Sequence, residues 1–320
     1  MRNFAITTDS NSDLSKDYID KNHIGVIPYF YEIDHVVYGE RVSLRLSDFY
    51  KKIQSGSVPK IMNCNVERIK EVFRSYLEEG LDILHIGTTY CFNSSYDNLH
   101  KAIEELREEY PIARIIELDS RSISMGLGLM ITGAVAMKKN GRTMDEIIDW
   151  IERSRTGFWA VFFLSDLSYL SRIGIMTEKE ALLHRVLRRN PVLVMNENGF
   201  CQKVKDMKNN KKTFVKMIRV MERRLGMMRD KSLQFCILHG DAPEQAKNAA
   251  AYLTRRYPRS SVLIQTANPD MGARFGKGTI GICLMGEYHD NTGGRDGQKK
   301  QKVDSRRDQS IRFRKWDSSQ

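Results

Sequence analysis

Four short segments gather most of the residues able to do chemistry in this 320-residue chain. TTDSNSD (7–13), GTTYCFNSS (87–95) and DSRSIS (119–124) crowd hydroxyls, amides and carboxylates directly after apolar runs. NPDMGARFGKGTIGICLMG (268–286) spaces glycines at 272, 276, 278 and 281 around Arg274 and Lys277. Hydroxyl and amide donors at successive strand ends form a shared polar patch, and an arginine can grip an anion through two parallel hydrogen bonds. The set fits binding of a carboxylate or a similar anion. A plainer reading stands beside it: Ser, Asp and Asn start helices on their own account, and Arg274 could lie in solvent beside a tight loop that enters a last strand.

Other chemistries find little support. There is no G-x-x-x-x-G-K-[ST] segment, and the GLG at 126–128 sits inside an apolar helix without the spacing of a dinucleotide loop, so its glycines read as helix-packing positions. No G-x-S-x-G elbow and no H-E-x-x-H pair occurs. His85 alternates into an apolar strand and His239 ends one, which predicts satisfied structural imidazoles. Asp9, Asp119 and Asp166 each end a strand; that would suit a metal, but Asp is also the usual turn residue there, and no metal or cofactor is expected. An enzyme acting on a small phosphorylated or acyl substrate, with Asp9 or Asp119 in acid/base or metal roles, is the alternative.

These residues need a scaffold that brings strand ends together. NFAITTDS (3–10), LDILHIGTT and ARIIELDS are near-continuous apolar runs separated by helical patterns, with Ser12 expected to cap the first helix. In NVERIKEVFRSYLEEG the apolar residues Val66, Ile69, Val72, Phe73, Tyr76 and Leu77 share one helical face, with Asn65 as cap and Gly80 as terminator. Such alternation predicts a parallel sheet covered on both faces, whose ligands bind beyond the carboxyl ends of its strands. After helices at 124–141 and 143–155 the pattern changes to α+β, with a hairpin turning at Asn196–Gly199. The fold class is therefore α/β in two domains, with residues 1–157 holding the parallel sheet and 158–286 forming an α+β domain with a mixed or antiparallel sheet. Residues 287–320 are expected to be a disordered basic tail.

The formal charge of +11 raises nucleic acid as a partner, but Asp290–Gln320 alone holds nine Lys/Arg against five Asp, so no specific nucleic-acid surface is predicted. Five scattered cysteines without a C-x-x-C pair argue against a disulfide framework or a structural zinc site, and Cys236 and Cys283 read as buried thiols. No apolar run is long enough for a membrane span. MRNFAITTDS is strand-like without the apolar core of a signal peptide, which predicts a cytoplasmic protein.

The order of segments resembles the DegV family of bacterial fatty-acid-binding proteins. The matching pieces are TTDSNSDLS (7–15), DSRSISMGLGL (119–129), DLSYLSRIGIM (166–176), NPVLVMNENGFCQKV (190–204) and MGARFGKGTIGI (271–282), in family order to about residue 286. The resemblance implies a protein that encloses one long-chain fatty acid, such as palmitate, between its domains. It further implies presentation of the carboxylate to a separate fatty-acid kinase, so that the binding protein is not itself the catalyst.

Carried over residue by residue, the head-group positions fall on Met62, where a family hydroxyl is lost, on Asn93, where an amide replaces a hydroxyl, and on Arg274, where the family often has His. Asp9, Ser10, Ser94, Ser122, Met125 and Gly126 are the candidates for the pocket or its rim. The apolar neighbours Met62, Phe92, Ile123, Met125, Leu127 and Phe163 fit either a tunnel or plain core.

Overall fold

The computed structural model describes residues 2–39, 42–93, 95–155, 158–165, 171, 177–186, 189–208, 213–225 and 233–285. The expected tail, Ser94, Asp166 and most of 166–176 lie outside them.

Among the described residues, β1 (Phe4–Asp9), β2 (Gly25–Ile27), β6 (Asp82–Gly87) and β7 (Ile115–Asp119) form a sheet in the order β2-β1-β6-β7. Every pairing in it is parallel, as the near-continuous apolar runs require. One face carries α3 (Val66–Leu77) and α4 (Tyr96–Glu109), which close a core of Ile27, Ile69, Phe73, Ile83, Leu99 and Ile103. The Oδ1 of Asn65 accepts from Arg68 N at 2.8 Å, so the expected cap of α3 forms. The cap expected at Ser12 does not. Asp13 adopts φ 53°, the chain turns once more through residues 10–12, and α1 (Lys16–Lys21) starts under Ser15 instead.

A small antiparallel sheet of β3 (Phe30–Ile33), β4 (Val36–Tyr38) and β5 (Lys60–Met62), in the order β4-β3-β5, sits with α2 (Leu46–Gln54) beside the first sheet. Its register pairs Phe30 with Met62.

The second large sheet is mixed. It runs β10-β9-β8-β13-β11-β12 and contains β8 (Phe158–Phe163), β9 (Arg189–Met195), β10 (Cys201–Lys208), β11 (Gln234–His239), β12 (Ser261–Thr266) and β13 (Ile280–Met285). Among the described residues of this sheet, only β11 and β12 pair in parallel. On one of its faces α8 (Thr213–Leu225) and α9 (Pro243–Arg256) seal a core around Val161, Val194, Met217, Phe235 and Ile282. Another helix, α7 (Glu178–Val186), precedes β9.

Between the two large sheets lies α5 (Met125–Lys139), backed by α6 (Met144–Ser154). Apolar on nearly all sides, α5 buries residues in a single cluster that takes Phe4, Ile6 and Ile86 from the first sheet and Phe158, Phe162, Leu193, Cys236 and Cys283 from the second. Its glycines let it approach closely: a Cβ on Gly126 would stand 2.2 Å from Ser122 Oγ. The hairpin turn also reaches across. Thr89 Oγ1 donates to Gly199 O at 3.1 Å, and Arg121 Nη1 donates to Glu197 O at 3.3 Å.

The glycine segment expected to be a loop is in fact a short helix, α10 (Pro269–Phe275), followed by a turn through Gly276 and Gly278 into β13. Asn268 caps it by accepting from Met271 N, and Pro269 occupies its first position, where the missing N–H costs nothing.

Candidate functional site

The three polar strand ends of the parallel sheet converge. Asp9 at the end of β1 accepts from Thr88 N at 2.7 Å, from Thr88 Oγ1 at 2.7 Å and from Asn11 N at 3.0 Å. Thr89 N donates to Ser122 O, which joins the end of β6 to the loop after β7. Burial pushes the Asp9 carboxyl upward, and the three donors and the nearby Arg274 guanidinium pull against that shift. With three donors on its two oxygens, Asp9 organises the strand ends.

From this edge a polar chain leads into α10. Tyr29 N donates to Ser10 Oγ at 2.9 Å, and Ser10 Oγ donates to Asp270 Oδ2 at 2.5 Å. Asn268 Nδ2 donates to Ser10 O. Asp13 bridges two elements, accepting from Asn268 N at 2.7 Å on one oxygen and from Ser124 Oγ at 2.7 Å on the other. Burial raises Asp13 and Asp270 each to about 7, against the pull of these donors.

Arg274 lies one turn beyond Asp270 on α10 and is 7% exposed. Its Nε and Nη2 are buried without a hydrogen-bond partner, and no carboxylate lies within ion-pair distance of it among the described residues. Its charge nonetheless reaches Asp9, Tyr29 and Asp270, so all four groups share one site. A buried guanidinium with empty donors is costly unless an anion completes it. The plainer reading, with Arg274 in solvent beside a tight loop, does not hold: the residue is buried on a helix, because the neighbouring Met271 and Phe275 anchor α10 in the central cluster.

Asn93 joins the same site through Tyr29. Its Oδ1 accepts from Tyr29 OH and, at 2.9 Å, from Ser95 N, which leaves Nδ2 as a donor. Met62 is half-buried on β5, paired with Phe30 beside Tyr29 and packed against the α3–α4 core. Asn93 and Arg274 are thereby brought to one region with Ser10 and Asp9, and Met62 adjoins it. Ser122, Met125 and Gly126 lie at the start of α5, where Met125 is core, Gly126 seats the helix against Ala160 of β8, and Ser122 Oγ is buried and unpaired. The serines of this loop do not cap α5. Ser124, at φ 55°, turns its hydroxyl to Asp13 instead.

Beside Arg274 the apolar side of the site begins. The Phe275 ring lies 5.0 Å from that of Phe162 and 6.4 Å from that of Phe92, so a cation and an aromatic row are adjacent on one short helix. An amphiphile with an anionic end matches this arrangement.

Sequence reasoning missed Asp270, Asp13, Tyr29 and Asn11. Asn11 is the least expected, since both its side-chain amide atoms are buried and unpaired. The signal for Asp270 was available, as Asn-Pro-Asp is a helix start that would have placed Asp270 and Arg274 one turn apart. No group of three or more His, Cys, Asp or Glu side chains arranged to hold a metal ion occurs among the described residues. None of the described helices is long and apolar enough to cross a membrane.

Comparison with known proteins agrees with this architecture. The profile of a family described as "Uncharacterised protein, DegV family" matches residues 3–287. A DegV domain-containing protein of Clostridium perfringens is 30% identical over 292 residues, which cover 90% of this chain and 99% of the relative. A solved structure described as a fatty acid (stearic acid)-binding protein from Eubacterium ventriosum superimposes with a TM-score of 0.80 at 21% identity, covering 88% of this chain and 98% of that one. A DegV family protein from Thermus thermophilus, described by its fatty-acid binding, gives 0.78 at 20% identity over 89% of this chain and 99% of its own. The chain belongs to the DegV family.

Proposed function

We propose that this protein binds one long-chain fatty acid, or a similar acyl ligand, between the parallel-sheet domain (1–157) and the mixed-sheet domain (158–286). The carboxylate sits at Arg274 and Asn93 with Met62 at its edge, and the chain runs along the central apolar cluster past Phe275, Phe92 and Phe162. The observation that carries this reading is the buried Arg274 with two empty donor nitrogens, set directly beside that aromatic row. Membership of a family whose relatives from Eubacterium ventriosum and Thermus thermophilus are described as fatty-acid binders supports the same ligand class.

Energetically the two ends divide the work. Each buried CH2 contributes about 0.8 kcal/mol, whereas the carboxylate must find donors at the site or forfeit its hydration. The reading is one of binding without catalysis, which is supported by the engagement of Asp9, the strand-end carboxylate best placed to act, by three donors. The family resemblance extends the reading to a cytoplasmic carrier that presents the carboxylate to a separate fatty-acid kinase.

Purified protein, denatured and extracted, should release fatty acid detectable by mass spectrometry, and the delipidated protein should gain thermal stability on adding a long-chain acid. Absence of both, across saturated and unsaturated acids, refutes the proposal.

A further inference from the structure

The buried carboxylates of the site differ in what their oxygens do. Both oxygens of Asp9 accept hydrogen bonds, and so do both oxygens of Asp13. Asp270 is the exception: Oδ2 accepts from Ser10 Oγ, while Oδ1 is buried with no partner. Arg274, one turn along the same helix, leaves Nε and Nη2 equally empty and forms no ion pair with Asp270. An empty acceptor and two empty donors therefore lie one helical turn apart, within reach of each other's charge, and an occupant that meets both must satisfy both kinds.

Charge decides how. If the fatty-acid reading holds, a ligand carboxylate enters a site that, among the described residues, already contains Asp9, Asp13 and Asp270 against the guanidinium of Arg274. A second anion next to an ionised Asp270 would be repelled, whereas a neutral carboxyl turns its empty Oδ1 into a donor. Of the three carboxylates, Asp270 has an oxygen that accepts no hydrogen bond at all, so a proton there meets no existing donor.

The geometry points to Asp270 as a direct head-group ligand that acts in its acid form, donating Oδ1–H to the fatty-acid carboxylate that Arg274 grips through Nε and Nη2. The hydroxyl that Met62 lacks is thereby supplied from α10. Burial, which holds the Asp270 carboxyl near 7, keeps the proton available at neutral pH. The groups facing Asp270 are Asp9 and Asp13 from β1 and the turn after it, Tyr29 and Tyr31 from the β3 segment, and Arg274 on α10 itself. The next turn of α10, Gly272 and Ala273, packs against Phe49 and Tyr50 of α2.

The test is the affinity of delipidated protein for laurate, ionised throughout, between pH 6.5 and 8.5, with dodecanol as the uncharged control. Because the complex holds the proton more tightly than the free site, affinity is greatest below about pH 7 and falls as pH rises, by roughly 25-fold across this interval for a single linked proton. Asp270→Asn keeps a donor and should bind laurate with a flat profile, while Asp13→Asn should retain the slope. Calorimetry of the unsubstituted protein at pH 8 in two buffers of different ionisation enthalpy should show uptake of nearly one proton per laurate, a reading that needs no variant to fold. A flat profile, no proton uptake, or a slope that survives in Asp270→Asn overturns the inference while leaving fatty-acid binding in place. Failure to bind any acid at any pH overturns both.

Discussion

Replacing Arg274 with Gln isolates the head group from the chain. Two donors of Arg274, Nε and Nη2, are empty and buried. A hydrogen bond to a charged group contributes about 1.5–3 kcal/mol, so a bidentate grip on a carboxylate is worth about 3–6 kcal/mol. Gln keeps one neutral donor and leaves room for water, which offsets part of the loss. The expected cost is about 3 kcal/mol, or roughly 150-fold in Kd. Hexadecanol has the same chain without the charge, and its affinity should be unchanged, since Phe275, Phe162 and Phe92 remain in place. The variant also removes the counter-charge that reaches Asp9 and Asp270. That loss opposes the relief of removing an unpaired buried cation, so the unliganded Tm should shift by only a few degrees. Competition against a fluorescent fatty acid, run with palmitate and hexadecanol, measures both ligands. Equal weakening of the two would mean that the substitution damages the fold and not the head-group contact. A change of less than about threefold for palmitate would place the carboxylate elsewhere.

Three further outcomes are expected. Met62→Thr restores a hydroxyl beside the Tyr29 segment and should tighten palmitate about fivefold, roughly 1 kcal/mol for one added hydrogen bond; an unchanged Kd would move the head group away from β5. His85 is buried, bonded to Thr7 Oγ1 through Nδ1, and its pKa is lowered by burial to about 3. The unfolded chain therefore takes up a proton that the folded one refuses between pH 6.5 and 3, and this group should cost about 2 kcal/mol on acidification from pH 7 to 5. Urea melts of His85→Gln against the unsubstituted protein at the two pH values should show that difference, and parallel pH dependences would refute it. Gly126→Ala drives a Cβ to 2.2 Å from Ser122 Oγ and should destabilise by about 1–3 kcal/mol. Because that hydroxyl has no partner, adding Ser122→Ala should recover much of the loss; simple additivity in the double-variant cycle would contradict the clash.

The large features of the fold were legible because they rest on local regularities. Continuous apolar runs marked the parallel strands, the spacing of Ile69, Phe73 and Leu77 marked the buried face of α3, and Asn65 marked its start. The turn at Asn196–Gly199 likewise marked the β9–β10 hairpin. Where reading failed, long-range contacts had overridden local preference. Ser124 looks like a helix cap, yet its hydroxyl is claimed by Asp13, distant in sequence. Ser12 looks like one too, but Asp13 takes a left-handed conformation and delays the helix to Ser15. Four spaced glycines concealed the α10 start at Asn268 and Pro269, although both cap signals were present. At the candidate site, Arg274 stood out among the spaced glycines and Asn93 entered through the family resemblance. The unpaired oxygen of Asp270 and the empty amide of Asn11 were not, since partnerlessness arises only once the whole surrounding structure has closed over a group.

The shortness of α10 has a consequence for which way round a ligand lies. Asp270 and Arg274 share one edge of this seven-residue helix, while Met271 and Phe275, each one position later, share another about 100° away. One small rigid body thus holds both the hydrophilic stop and the greasy rail, at a separation that cannot be adjusted independently. Orientation of an amphiphile is written into that offset. Inserting a single residue between Pro269 and Asp270 would turn both edges together by about 100°, carrying the guanidinium to where Phe275 now meets Phe92 and Phe162, and the protein would lose its sense of head and tail before it lost its fold.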